Sequence, residues 1–377
     1  MKKNRITFNQ IKEYLAEKGL ILRKRKKNNF FKNDSLNSLA RTFLSSIFII
    51  SIFYVIPVFI EFKNERKSIF QEFENDSKSI FTNTLKNKNL KKLSKLDDEL
   101  IRKYIFEDVF VFNDLPNDYV RLSASTINQL FKDTEYNLEE VRKTKLVKPI
   151  SLSLLPREMQ KIENTIIRKK LFIQIILPLV IKENNNIKLD RIKLFSVINK
   201  SNNTNLEKKW LKRKFKQYGV PNNDLSSLKV RMDEIPVSMA IAQAAKETGW
   251  GTSRFAQEGN ALFGQWTWSG EGIKPAAADN NSTHKVMKFK VLQASVKAYH
   301  RNLNTHSSYK KFRIARAELR GENKKLDSLM LSNHLDKYAE TGKEYVKILQ
   351  KIIKQNQLTD FDDAKLLPSS VELDSLI

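Results

Sequence analysis

The 377-residue chain has no cysteine, which removes disulfides, thiolate metal sites and a cysteine nucleophile from consideration. Histidine is nearly as scarce. His284, His300, His306 and His334 show no HExxH-like spacing, so no metal site and no cofactor is expected. Acid is the minority charge: 42 Asp and Glu stand against 68 Lys and Arg, for a net charge of +26. That balance favours a polyanionic environment, whether nucleic acid, anionic lipid or an acidic envelope polymer, without choosing among them. Charge is absent altogether from residues 42–60 (TFLSSIFIISIFYVIPVFI), and glycine and proline are absent from 61–115. No internal repeat is visible.

The uncharged run is 19 residues long, about 28 Å as a helix, which is enough to cross a bilayer core. Pro57 is tolerable there. The 41 residues before it hold 12 Lys and Arg against three acids, whereas both signs mix directly after it. The positive-inside bias therefore places 1–41 in the cytoplasm as a basic N-terminus and everything past 60 outside. No small-residue cleavage site follows the run, which favours a single-pass signal anchor over a removable signal peptide. The expected location is the cytoplasmic (inner) membrane, with the bulk of the chain on the periplasmic, extracytoplasmic side. An exported domain does not meet the chromosome, so nucleic acid is not an expected partner.

Residues 61–118 are polar and helix-prone and read as a stalk. A helical pattern follows over 157–184, with a kink expected at Pro178. Amphipathic helices are expected over 190–199 and 206–218, and 219–224 is a turn cluster. Residues 260–272 (NALFGQWTWSGEG) read as an active-site-type loop, and Thr283–Phe289 as a strand that could pair with 265–268 in a hairpin. Four more helices are expected over 295–303, 309–321, 325–332 and 343–355. The acidic tail, 359–377, reads as disordered.

Chemistry concentrates in Glu234–Phe255. Pro236 suits a first helical turn, and Asp233 before it is the expected cap. Val237, Ile241, Ala244, Ala245 and Thr248 define a buried face. Glu247 falls near the end of this helix, before Gly249 and Gly251. Its neighbours three and four residues away, Gln243, Ala244, Trp250 and Gly251, include no cation. A carboxyl among small residues and beside an indole is desolvated, which raises its pKa and suits it to proton donation. The same residue also reads as a solvated carboxylate at a helix C-terminus, and the residues alone leave both open.

The run QAAKETGWGTSRF with the following GNALFGQW resembles the peptidoglycan N-acetylglucosaminidases of glycoside hydrolase family 73, and in particular their Bax-like branch. The segments Ser295–Tyr309, Leu335–Tyr345 and Lys170–Val180 add to the likeness, which covers roughly 120–358. The resemblance implies a mostly α (α+β) architecture: a lysozyme-like catalytic domain over 206–358 with a small β-hairpin lobe, preceded by a Bax-like helical accessory region over 119–205 and the anchor at 42–60. It implies Glu247 as the general acid, Tyr338 as an active-site tyrosine, and the β-1,4 bond after N-acetylglucosamine in peptidoglycan glycan strands as the target. A second carboxylate is expected from the hairpin region, at Glu271 or Asp279, unless the sugar's own acetamido group replaces it. Asn260, Phe263, Trp266 and Trp268 are candidate substrate contacts, and His300 and His306 are expected to be structural. Two other readings compete: a lytic transglycosylase using the same glutamate, and a non-catalytic wall-binding scaffold.

Overall fold

A computed structural model describes residues 104–109, 111–114, 119–220, 222–267, 272–274 and 285–368, all within one compact unit. The expected anchor, the basic N-terminus and most of the stalk lie outside the described residues. Among the described residues no helix is long and apolar enough to cross a membrane.

The fold is mostly helical. Helix α1 covers 104–109. It is followed by α2 (Ala124–Asp133), α3 (Leu138–Thr144) and α4 (Thr165–Ile198), then α5 (Asn205–Gln217) and α6 (Leu225–Arg231). The Glu247 helix is α7 (Val237–Thr248), and α8 (Arg254–Gly259) comes directly after it. The C-terminal set is α9 (Leu292–Thr305), α10 (Lys310–Gly321), α11 (Ser328–Ser332) and α12 (Lys343–Gln355). Two expected helices, 157–184 and 190–199, prove to be one. α4 runs unbroken through Pro178 and the Asn184–Asn186 run, and residues 157–161 form a separate 3-10 turn.

Every residue of α7 from Val237 to Ala245 is buried, as befits a helix surrounded on all sides. Its alanines at 240, 242, 244 and 245 let neighbours approach closely, and it packs on α4, α12 and the 3-10 turn Leu358–Phe361. One apolar cluster takes Ile127, Phe172 and Ile176 from before residue 205 together with Ile241, Leu349 and Phe361 from after it. The boundary expected at 205/206 therefore does not separate two cores.

Two further expectations fail together. Asp233 does not cap α7: it is buried, accepts from Glu234 N at 2.9 Å and from Arg320 at 3.0 Å, and lies near Arg316. The cap comes from the tail, where Asp362 accepts from Ser238 N and from Ser238 Oγ, each at 2.8 Å. Nor are residues 359–368 disordered. Phe361 is buried, and Lys365–Leu366 (β5) pairs in parallel with Leu146–Val147 (β1). Composition marked this stretch as solvated, but its carboxylates answer unsatisfied donors elsewhere in the fold. Residues 369–377 lie outside the described residues.

The second sheet is a three-stranded antiparallel lobe in the order β2 (Trp266–Thr267), β4 (Lys285–Met287), β3 (Gly272–Ile273). Trp266 faces Val286 across the first pair and Ile273 faces Val286 across the second. The expected hairpin pairing is present, and β3 adds an unforeseen third strand.

Candidate active site

Gln243 and Glu247 stand one turn apart on α7 and so share a face. That face meets the first turn of α12, the segment before it, and the loop after α8. Glu247 is half-buried. Burial pushes its carboxyl above the ordinary carboxylate range, against the opposing pulls of the Tyr345 hydroxyl and Lys246. A carboxylate at a helix C-terminus is further disfavoured by the backbone dipole.

The carboxyl rests on a glycine. A Cβ at Gly264 would stand 2.9 Å from Glu247 Oε2, and Gly264 has φ +61°, a conformation that residues with a side chain rarely adopt. Close backbone approach at this point gives the acid a wall that no side chain intrudes upon.

A buried relay aims a hydroxyl at Glu247. Tyr299 Oη donates to Gln243 Oε1 at 2.7 Å, and Gln243 Nε2 donates to Tyr345 Oη at 3.1 Å. With its oxygen engaged, the amide can present only N–H to Tyr345. Tyr345 therefore accepts from Gln243 and donates its own proton to Glu247. Burial, first, and the neighbouring carboxylate both push the Tyr345 phenol upward, which keeps it a donor. Tyr338 stacks on Tyr345, with centroids 5.4 Å apart and planes within 9°, and its hydroxyl donates to Phe263 O at 2.8 Å. The arrangement suits a proton donor: a carboxyl whose pKa burial raises, only half-buried itself, with a hydroxyl placed to steady the anion once the proton has left. No group of three or more His, Asp or Glu able to hold a metal occurs among the described residues.

Comparisons with known proteins identify the family. Residues 227–358 match the Glucosaminidase family model, described as mannosyl-glycoprotein endo-beta-N-acetylglucosaminidase. Protein bax of Escherichia coli K12 is 32% identical over 214 residues, covering 54% of this chain and 75% of that protein. The chain belongs to the Bax-like glucosaminidases of glycoside hydrolase family 73. It is a glycoside hydrolase that acts on peptidoglycan. No solved structure matches.

The remaining expected residues of this glucosaminidase fall into three groups. Glu247 and Tyr338 are brought together around Tyr345, while Trp266 lies 43% exposed on β2, two residues beyond Gly264. Asn260 and Phe263 turn inward, contrary to the expectation of substrate contact. Asn260 adopts φ +50°, a left-handed conformation that asparagine tolerates, and donates to Phe289 O at 2.8 Å and Lys290 O at 3.1 Å. The Phe263 ring is 1% exposed and stacks on Tyr299 at 3.9 Å. Both shape the loop that carries Gly264. Trp268, Glu271 and Asp279 lie outside the described residues.

Trp250, expected beside the acid, has its ring contacts on α4. Its ring meets Phe172 edge-on at 5.8 Å, with the Lys169 ammonium 5.0 Å from its centroid. His300 is fully buried, and burial lowers its pKa to about 4. It contacts Val296 O at 2.9 Å and Asn184 Oδ1 at 3.1 Å, in keeping with a structural role. Sequence reasoning missed Tyr345, Tyr299 and Gly264 as parts of the site. Gln243 carried a usable signal: an amide on an alanine-rich buried helix, one turn before the acid.

Proposed function

We propose that this glucosaminidase is a membrane-anchored endo-β-N-acetylglucosaminidase, cleaving β-1,4 bonds of peptidoglycan glycan strands with Glu247 as general acid. The observation that carries the reading is the setting of that carboxyl: raised in pKa by burial, seated against Gly264, and met by a hydroxyl donor through a relay in which every other polar group is satisfied. Proton donation to the leaving oxygen needs the neutral acid, and the anion formed receives the Tyr345 bond. Tyr338 serves the site through the Phe263 carbonyl and its stack on Tyr345, holding the loop beside Glu247. Trp266 is proposed as a sugar-stacking surface, and Trp268, two positions on in the sequence, as a second one. Among the described residues, burial, Tyr345 and Lys246 account for the Glu247 shift. The partner carboxylate is proposed to come from the hairpin, at Glu271 or Asp279. A lysozyme-like catalytic domain over 206–358 is proposed to be carried by the anchor at 42–60 of the cytoplasmic membrane and held on its outer side.

The test is the product. Full-length enzyme incubated with purified sacculi should release fragments ending in reducing N-acetylglucosamine, identified by mass spectrometry. Fragments ending in 1,6-anhydro-muramic acid would identify a lytic transglycosylase instead. A fusion reporter after residue 360 should be active only outside the cytoplasm, and cleavage near residue 60 with release of the chain would replace the anchor by a signal peptide.

A further inference from the structure

The second half of α4 and the whole of α5 pack together around an apolar cluster of their own, apart from the main core. Ile187, Leu194 and Val197 of α4 meet Trp210 and Phe215 of α5 there, with Leu228 of α6. Three contacts set the two helices antiparallel: Lys214 with Asp190, the Lys193 ammonium 5.1 Å from the Trp210 ring, and Lys200 with Glu207.

Residues 182–217 hold eleven Lys and Arg against three acids. All three acids are committed. Glu183 is buried, Asp190 is bonded to Lys214, and Glu207 is bonded to Lys200 while it closes the capping box of α5. The outward cations have no such partners. Lys188, Lys208, Lys209, Lys212 and Arg213 are exposed and form no ion pair among the described residues.

Aliphatic side chains stand among them in water. Leu189 is 65% and Ile192 59% exposed, one turn apart on α4, and Leu206 is 78% exposed at the start of α5. A water-soluble polyanion rewards the lysines alone and leaves these groups hydrated. The interfacial zone of an anionic bilayer rewards both, because phosphates meet the ammonium groups while aliphatic side chains enter the acyl boundary. We propose that this helical pair docks the domain onto an anionic phospholipid surface, independently of the chemistry assigned to Glu247.

The absence of native cysteine permits a direct test. Full-length Leu206→Cys, carrying an environment-sensitive fluorophore, is reconstituted into vesicles with and without phosphatidylglycerol. Lys132→Cys is the reference. It is exposed and lines the same concavity as Lys170, near the other end of α4. The label at 206 should shift to the blue and be quenched by spin-labelled lipid only in phosphatidylglycerol vesicles, while the label at 132 stays unchanged. Adding Lys208→Glu, Lys209→Glu and Arg213→Glu should cut the lipid-contacting fraction at least fivefold, since each cation near an anionic surface is worth about that much in partitioning. A water-like label at 206 in both vesicle types would overturn the proposal. So would a response to soluble polyphosphate with none to vesicles, which would assign the face to a polyanion.

Discussion

Two glutamates of this enzyme are lifted above the ordinary carboxylate range by burial, and they have different surroundings. Glu247 is half-buried, lies against a glycine and is met by the Tyr345 hydroxyl. Glu183 on α4 is 4% exposed and raised to about 7 by burial, with Lys297 and Arg301 opposing the rise and Asp108 adding to it. Asp108 itself pairs with both cations, at 3.1 Å and 2.9 Å. Desolvation is common to the two sites and therefore does not by itself mark a catalytic acid. Access and the direction of the hydrogen-bond donors separate them. Glu247 opens to the outside with an oriented donor beside it, and Glu183 is enclosed where no substrate reaches.

The largest expected effect falls on Glu247. Glu247→Gln should fold normally by circular dichroism and lose about 10² to 10⁴-fold in glycan cleavage. Glu183→Gln, read in the same assay, should stay within about twofold of wild type, because a buried group away from the site changes stability rather than chemistry. Equal losses from the two substitutions would erase the contrast.

Gly264→Ala tests the wall behind the acid. The added methyl meets Glu247 Oε2 at 2.9 Å in a backbone conformation with φ +61°. A stability loss of about 1–2 kcal/mol in denaturant titration is expected, together with a marked fall in kcat from the displaced carboxyl.

Glu183→Gln sharpens the other side through pH. Burial pushes the native carboxyl up to about 7 from an ordinary value of 4.5. The ionised form thus burdens the folded state above pH 7, and the burden disappears as pH falls through 7 to below 4.5. The substitution should raise stability by up to roughly 3 kcal/mol at pH 8 and leave it nearly unchanged at pH 4. A gain independent of pH would contradict the burial argument.

Tyr345→Phe should shift the rate profile rather than abolish it. The Tyr345 bond favours the ionised form of Glu247 and lowers its pKa, so its loss should move the alkaline limb of kcat/KM to higher pH, with reduced kcat. A merely structural tyrosine would leave the limb in place. Tyr338→Phe is the smallest change. It removes the 2.8 Å bond to Phe263 O, which is worth about 1 kcal/mol or roughly fivefold in rate if all of it serves the loop.

The helical character of the fold, the α7 helix and the pairing of 285–287 with 266–267 were legible in the residues. α7 announced itself because alanine-rich periodicity and glycine punctuation are local signals. The β lobe was partly legible, since alternation over THKVMKF is local, while β3 is only two residues and carries no period. What escaped prediction depended on contacts across long stretches of chain. Asp362 reaches back 124 positions to Ser238, and Tyr345 bonds Gln243 across 102. Asn260 and Phe263 sat in a loop whose composition suggested a sugar-binding surface, yet their side chains were recruited inward to shape it.

By itself the sequence determined the family, the class of chemistry, a central helix ending in an acid, and a strongly basic chain without cysteine. These follow from residue types at short, regular spacings, which one turn or one strand is enough to express. The tertiary structure brought Gly264 and Tyr345 to the acid and a carboxylate from an apparently solvated tail to cap α7. A buried polar group must find its partner wherever the fold brings one within about 3 Å, and separation along the chain places no limit on where that partner comes from.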